Sequence, residues 1–180
     1  MPWGGSYRVT PTAATYASGL TFTVTAAAGI TSGDLILLWI TGYSTAITYS
    51  CPGFTSYAGS SGSNPVECQL LARVADGTEG ATFVVTGTSA GSGVQVIQAV
   101  VVSSAIDVVG AATQASSANT APAATGLTVS GSNEILLWFG AALNSGTFSG
   151  TAVTPPSGFT SRVTGSVASL VPDPVLADNT

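Results

Sequence analysis

"GDLILLWITG" fills residues 33–42 and "SNEILLWFGA" fills 132–141. Each sets a turn residue and a carboxylate, Asp34 or Glu134, ahead of an apolar run with a tryptophan inside it, Trp39 or Trp138. Short apolar runs bounded by turn residues read as buried strands. The duplication continues outward. "GLTFTV" (19–24) precedes the first copy and "GLTVSG" (126–131) the second; "CPGFTS" (51–56) follows the first and "PPSGFTSR" (155–162) the second. The tryptophans are 99 residues apart, and Phe54 and Phe159 are 105 apart, so the second connection is slightly longer. A period this long exceeds the roughly 20–50 residues of a solenoid unit. It fits two pseudo-equivalent halves of one sandwich.

The rest of the chain also reads as strands. "LTFTVTA" (20–26) alternates, with Leu20, Phe22 and Val24 on one face and threonines on the other. "VECQLLARV" (66–74) alternates too, which predicts a wet side holding Glu67 and Arg73. "ATFVVTG" (81–87) and "VQVIQAVVVSS" (94–104) are rich in β-branched residues, and Gly-rich clusters separate the runs. No long stretch shows helical periodicity with caps. The fold expected is all-β, a jelly-roll-like β-sandwich with two pseudo-equivalent halves. The expected organisation is an N-terminal arm over 1–14, the sandwich over 15–165 and a C-terminal tail or arm over 166–180. Pro172 and Pro174 argue against a central strand there, so the second half is expected to lack strands and to leave an edge for a partner.

Composition narrows the function. Of 180 residues only 6% are charged, against an ordinary share of about 25%. The cations are Arg8, Arg73 and Arg162, with no Lys and no His, and the net charge is −5. So few cations argue against nucleic acid as a partner. The longest charge-free apolar run, Leu35–Ile40, is far short of the roughly 20 residues of a spanning helix, and aromatic girdles of a membrane barrel are absent. No membrane partner is expected, and the N-terminus shows no signal-peptide pattern. A neutral, hydroxyl-rich surface suits a subunit whose exterior is covered by neighbours.

Chemistry is hard to find. "GTSAG" (87–91) matches a nucleophile-elbow spacing around Ser89. That elbow needs a strand–turn–helix and a His base, so a hairpin turn is the better reading. Asp76 and Glu79 lie in a turn pattern, and Asp34 and Glu134 mark strand starts, so neither pair reads as an acid–base couple. Asp173 and Asp178 carry no calcium-loop pattern. Cys51 and Cys68 admit a disulfide closing a loop of about 17 residues, worth about 3 kcal/mol. Two small buried apolar side chains is the favoured alternative, and two thiols without His do not make a zinc site. Tyr16, Tyr43, Tyr49, Tyr57 and Trp3 are candidates for stacking on sugars. No catalytic residue, cofactor or metal is expected.

Taken together, "SGDLILLWITG", "CPGFTSYAGS" and the run from "VECQLLARVADGTEGATFVVTG" to "SSAIDVVGAA" resemble a widespread bacteriophage structural domain. The matching positions are Gly33–Leu38, Pro52–Thr55, Arg73–Glu79, Thr82–Thr86 and Ile106–Asp107, followed by the shortened second half at 134–160. In place of that family's last strand pair stands "VPDPVLADNT". The resemblance implies a β-sandwich virion protein. The expected function is a capsid decoration or cement subunit on the phage capsid surface, bound to the major capsid protein as a homo-oligomer, a dimer or trimer. The alternative is a receptor- or carbohydrate-binding module of a tail or fibre. Partner contacts are expected at Trp3, Tyr7, Tyr43, Pro172 and Pro174.

Overall fold

Three turns of the same chemistry place the strands that follow them. In Thr31–Asp34, Cys51–Phe54 and Pro156–Phe159 the fourth residue's N–H donates to the first residue's carbonyl, at 3.0, 3.0 and 3.1 Å. The third residue of each is a glycine, with φ of +90° at Gly33, +79° at Gly53 and +88° at Gly158. A type II turn needs positive φ at that position, which is why glycine recurs there. The structure, a computed structural model, describes residues 6–16, 19–43, 47–60, 66–102, 136–143, 155–164 and 172–178.

Ten strands and no helix are described. They are β1 (Tyr7–Tyr16), β2 (Gly19–Thr25), β3 (Leu35–Tyr43), β4 (Tyr49–Ser50), β5 (Thr55–Ser60), β6 (Val66–Val74), β7 (Thr82–Val101), β8 (Leu137–Leu143), β9 (Thr160–Thr164) and β10 (Pro172–Asp178). All described pairings are antiparallel. The chain is an all-β sandwich. The pairings that identify a jelly roll are not among those described.

The sandwich has three layers. The middle sheet runs β1-β7-β3-β6-β5. The first half of β7 leaves it to pair with β2 and β4, which form one outer layer. The other outer layer is β8-β10-β9. Successive residues of a strand face opposite sides, so β3 can serve both layers. Ile36, Leu38 and Ile40 enter a first core with Phe22, Val24, Phe83 and Val85 of the β2–β7 layer. Leu35, Leu37 and Trp39 enter a second core with Leu176 of β10, and Leu137 and Phe139 of β8 pack against it. The unbroken run "LILLWI" is thus a strand buried on both faces, as such runs usually are.

That second core corrects the reading of β6. Its Leu71 faces the first core and Leu70 and Ala72 the second, so neither side is wet. Glu67 is 1% exposed and Gln69 is buried; Arg73 alone of the expected wet side is half-buried. The β2 reading needs one change. Phe22 and Val24 point inward, but Leu20 is 50% exposed, because the register slips between Gly19 and Thr21 and re-aims it. The expected hairpin at 87–91 is also absent. β7 runs through it as one strand, and "GTSAGSG" (87–93) is where it passes from the outer layer into the middle sheet. A Gly-rich bend lets one strand turn a sheet corner.

The repeat is visible in three dimensions, and it is longer than the sequence match. β6 lies between β3 and β5; β10 lies between β8 and β9 in the same way. Trp39 stands opposite Leu70, and Trp138 opposite Ala177. Each unit has a register slip in the strand after its Gly-Phe turn, skipping Tyr57 in β5 and Arg162 in β9. These two residues are 105 apart, the spacing of the two phenylalanines. Residues 7–14 and 172–178, expected in arms, are therefore parts of β1 and β10. The prolines are tolerated because β9 pairs with β10 only from Val175 onward. Pro172 and Pro174 pair with β8 alone, and a missing N–H costs little where a strand has one neighbour.

The units do not face each other symmetrically. Phe139 occupies the position of Ile40, yet Ile40 faces the first core and Phe139 packs against the second. Trp39 is in that second core, while Trp138, next to Phe139 in the strand, lies on the opposite face of its sheet. The second unit is stacked on the first face to back.

Candidate functional site

Among the described residues, two arginine–carboxylate pairs tie strands together. Arg8 of β1 grips Asp34 with Nε and Nη2, at 2.9 and 2.8 Å. Thr31 adds its N–H and hydroxyl to the same carboxylate, at 2.9 and 3.0 Å. The Arg8 hydrogen bonds, with those of Thr31, hold the Asp34 carboxyl down to about 2 despite its burial. Asp34 therefore has the turn-and-strand role expected of it; Glu134 lies outside the described residues. Arg162 of β9 grips Asp178 of β10 in the same two-pronged way, both contacts at 2.7 Å. Asp178 is fully buried.

The third arginine serves a turn. Arg73 reaches Asp76 at 2.8 Å and Glu79 at 3.4 Å. Glu79 accepts the N–H groups of Asp76 and Gly77, and Asp76 accepts from Thr78, which lowers its carboxyl. These carboxylates close a turn and leave no paired acid and base facing a cleft. Ser89 is exposed on the extended β7 strand, without the strand–turn–helix of an elbow. Among the described residues no group of three or more His, Cys, Asp or Glu could hold a metal ion. No described helix is long and apolar enough to cross a membrane.

The expected partner contacts scatter. Tyr7 is half-buried on β1, packed against the second core. Its buried hydroxyl lies beside the Arg162–Asp178 pair, and burial followed by the Asp178 carboxylate raises its pKa. Tyr7 thus braces the C-terminal strand pair rather than facing outward. Tyr43 ends β3, half-buried. Pro172 and Pro174 are in β10, and Trp3 lies outside the described residues. Neither cysteine is in a disulfide. Cys51 is in the first core and Cys68 packs against the second, on opposite sides of the middle sheet, so no bond joins them. Burial pushes the Cys51 thiol up, which makes it inert as well.

Among the sugar-stacking candidates, Tyr16 stacks on Phe22 with ring centres 4.9 Å apart. Tyr49 is a core residue whose N–H donates to Gln69 at 2.5 Å. Its phenol is pushed up to about 12 by burial, then by Glu67 and Cys68. The ring end sits on Gly42, where a Cβ would collide with the hydroxyl, and this explains a glycine inside the central strand. Tyr57 differs from these: at the β5 slip it is 43% exposed.

The outer face of the β2–β7 layer is hydroxyl and methyl. On the outer layer Thr21, Thr23 and Thr25 of β2 stand opposite Thr86, Val84 and Thr82 of β7, and all six are exposed. Set beside protein-family models, curated proteins and solved structures, the chain matches none of them.

Proposed function

We propose that this chain is a phage virion structural protein, a decoration or cement subunit that stabilises the major capsid shell by burying surface against it. The observation that carries the reading is the disposition of charge. Each of the three arginines is engaged with carboxylates of its own chain, and the outer layer exposes threonine and valine. A partner would then be held by shape and apolar or hydroxyl contact, over an interface of about 1,600 Å² if of ordinary size. The sequence resemblance to phage structural domains points the same way. Electron microscopy of labelled particles tests it: the label belongs on the head, and a label confined to the tail tip would overturn the proposal.

Tyr57 favours a second reading, a glycan- or receptor-binding module of a tail or fibre. An exposed aromatic on a bulged strand is a ready stacking surface. Glycan-array binding that disappears in Tyr57→Ala would support it; no binding to any glycan would count against it.

A further inference from the structure

The two outer layers are fastened differently. The layer of β2 and β4 is continuous with the middle sheet through β7. The β8-β10-β9 layer pairs with no strand of the middle sheet among the described residues. Side chains hold it instead. Leu176 is fully buried in the second core, and Phe139 packs on Trp39 with ring centres 5.4 Å apart. The Trp39 indole N–H donates to the Gly140 carbonyl at 3.3 Å. Tyr7 adds a contact from β1: it packs against the second core, and its buried hydroxyl lies beside the Arg162–Asp178 pair that joins β9 to β10. A layer held without shared strands can lift as one body at a lower free energy than the sheet beneath it unfolds.

Tyr7 is in turn held from elsewhere. The ladder between β1 and β7 is irregular at this end, with slips between Tyr7 and Val9 and between Val9 and Thr12. What fixes the end is the Ser6 carbonyl, which accepts from the Val102 N–H at 2.9 Å, and Arg8, whose guanidinium grips Asp34 at 2.9 and 2.8 Å. We propose that the N-terminal end of β1 is a latch with two hooks: Arg8 anchors it to the Asp34 turn, and Tyr7, positioned by that anchorage, keeps the β8-β10-β9 layer closed on the Trp39 face. The Asp34 turn and the outer layer are then coupled through one element with a closed and an open state, the physical form that coupling between separate sites requires.

The test is a double-mutant cycle read by amide hydrogen exchange of the full chain, with Leu176 and Ala177 reporting the layer and Leu38 and Ile97 the middle sheet. In the wild type the layer amides should be the less protected. Tyr7→Ala should raise layer opening about thirtyfold, for a half-buried aromatic removed. Asp34→Asn bonds to no described residue of the layer, yet should raise its opening at least about threefold in the wild type and not at all in the Tyr7→Ala chain. A merely structural Asp34 would loosen the middle sheet and leave Leu176 and Ala177 unchanged. Should either variant fail to fold, Tyr7→Phe or Arg8→Gln takes its place, and the two effects should still fall short of multiplying. Layer amides as protected as the middle sheet, a layer indifferent to the Asp34 or Arg8 change, or effects that multiply would each overturn the proposal. The inference does not rest on the virion reading, and either can fail alone.

Discussion

Asp34 ties a turn, β1 and β3 together through one carboxylate, and its titration is readable. Its folded value of about 2 lies below the ordinary carboxylate value of about 4. A depressed acid stabilises the fold above its unfolded value and loses that contribution as pH falls from about 4 towards 2. Urea unfolding should therefore weaken across that window in the wild type. Asp34→Asn should start lower by about 1–3 kcal/mol, as expected for losing charge-assisted hydrogen bonds, and be flatter there. The turn glycines make a second test. Gly53→Ala should cost about 1–2 kcal/mol for its left-handed backbone and further for crowding Arg73, whose Nη1 would lie 3.1 Å from the new Cβ. Gly158→Ala meets only the backbone cost, since nothing lies within 4 Å, so it should be the milder change by thermal melts. The turns were legible in the sequence because their signal is local. The arginine clamps were not: Arg8 and Asp34 are 26 residues apart, Arg162 and Asp178 are 16 apart, and no spacing marks either pair.

Strand periodicity revealed the elements but not how many sides of each would be covered. For β2 the alternation told both faces correctly except at Leu20. For β6 it placed Glu67 in water, because a period of two cannot distinguish a solvated face from one covered by a third layer. Glycine-rich sequence has the same ambiguity: 87–93 reads equally as a turn or as the bend of a continuous strand. Proline misled at β10, where the decisive fact is how far β9 extends beside it. β10 is also the element on which the outer layer depends, since β8 and β9 each pair with it and not with each other. Leu176→Ala, at a fully buried site, should cost about 2–5 kcal/mol. Hydrogen exchange should show β8, β9 and β10 amides opening together, at lower free energy than those of β3 and β7. Protection in β8 that outlasts β10 would contradict that dependence.

At the scale of the molecule, each arginine is paired with a carboxylate of its own chain, and the β2–β7 layer exposes threonine and valine. Contact through such a surface responds little to ionic strength, because there is little for salt to screen. Binding to undecorated capsids, measured between low and moderately high salt, should change by no more than about two- to threefold. A steep loss with salt would mean that charge, not burial, holds the subunit. With no disulfide between its cysteines, which lie on opposite sides of the middle sheet, the protein should also melt at the same temperature with and without a thiol reductant. The middle sheet contributes to both cores, so unfolding should be a single cooperative transition, with coincident curves from tryptophan fluorescence and far-UV dichroism.

The long strand β7 has a consequence for the order in which the protein can assemble itself. β1, β2 and β4 have β7 as their one described neighbour, and all three precede it in the chain. Until residues 82–101 have left the ribosome, β1, β2 and β4 have no described strand to pair with, and only β3, β5 and β6 can pair. At about 5–20 residues per second, the nascent chain spends several seconds with unpaired apolar strands before β7 recruits them from both sides. That interval, rather than the finished sandwich, is when the chain is most exposed to aggregation and most in need of a chaperone.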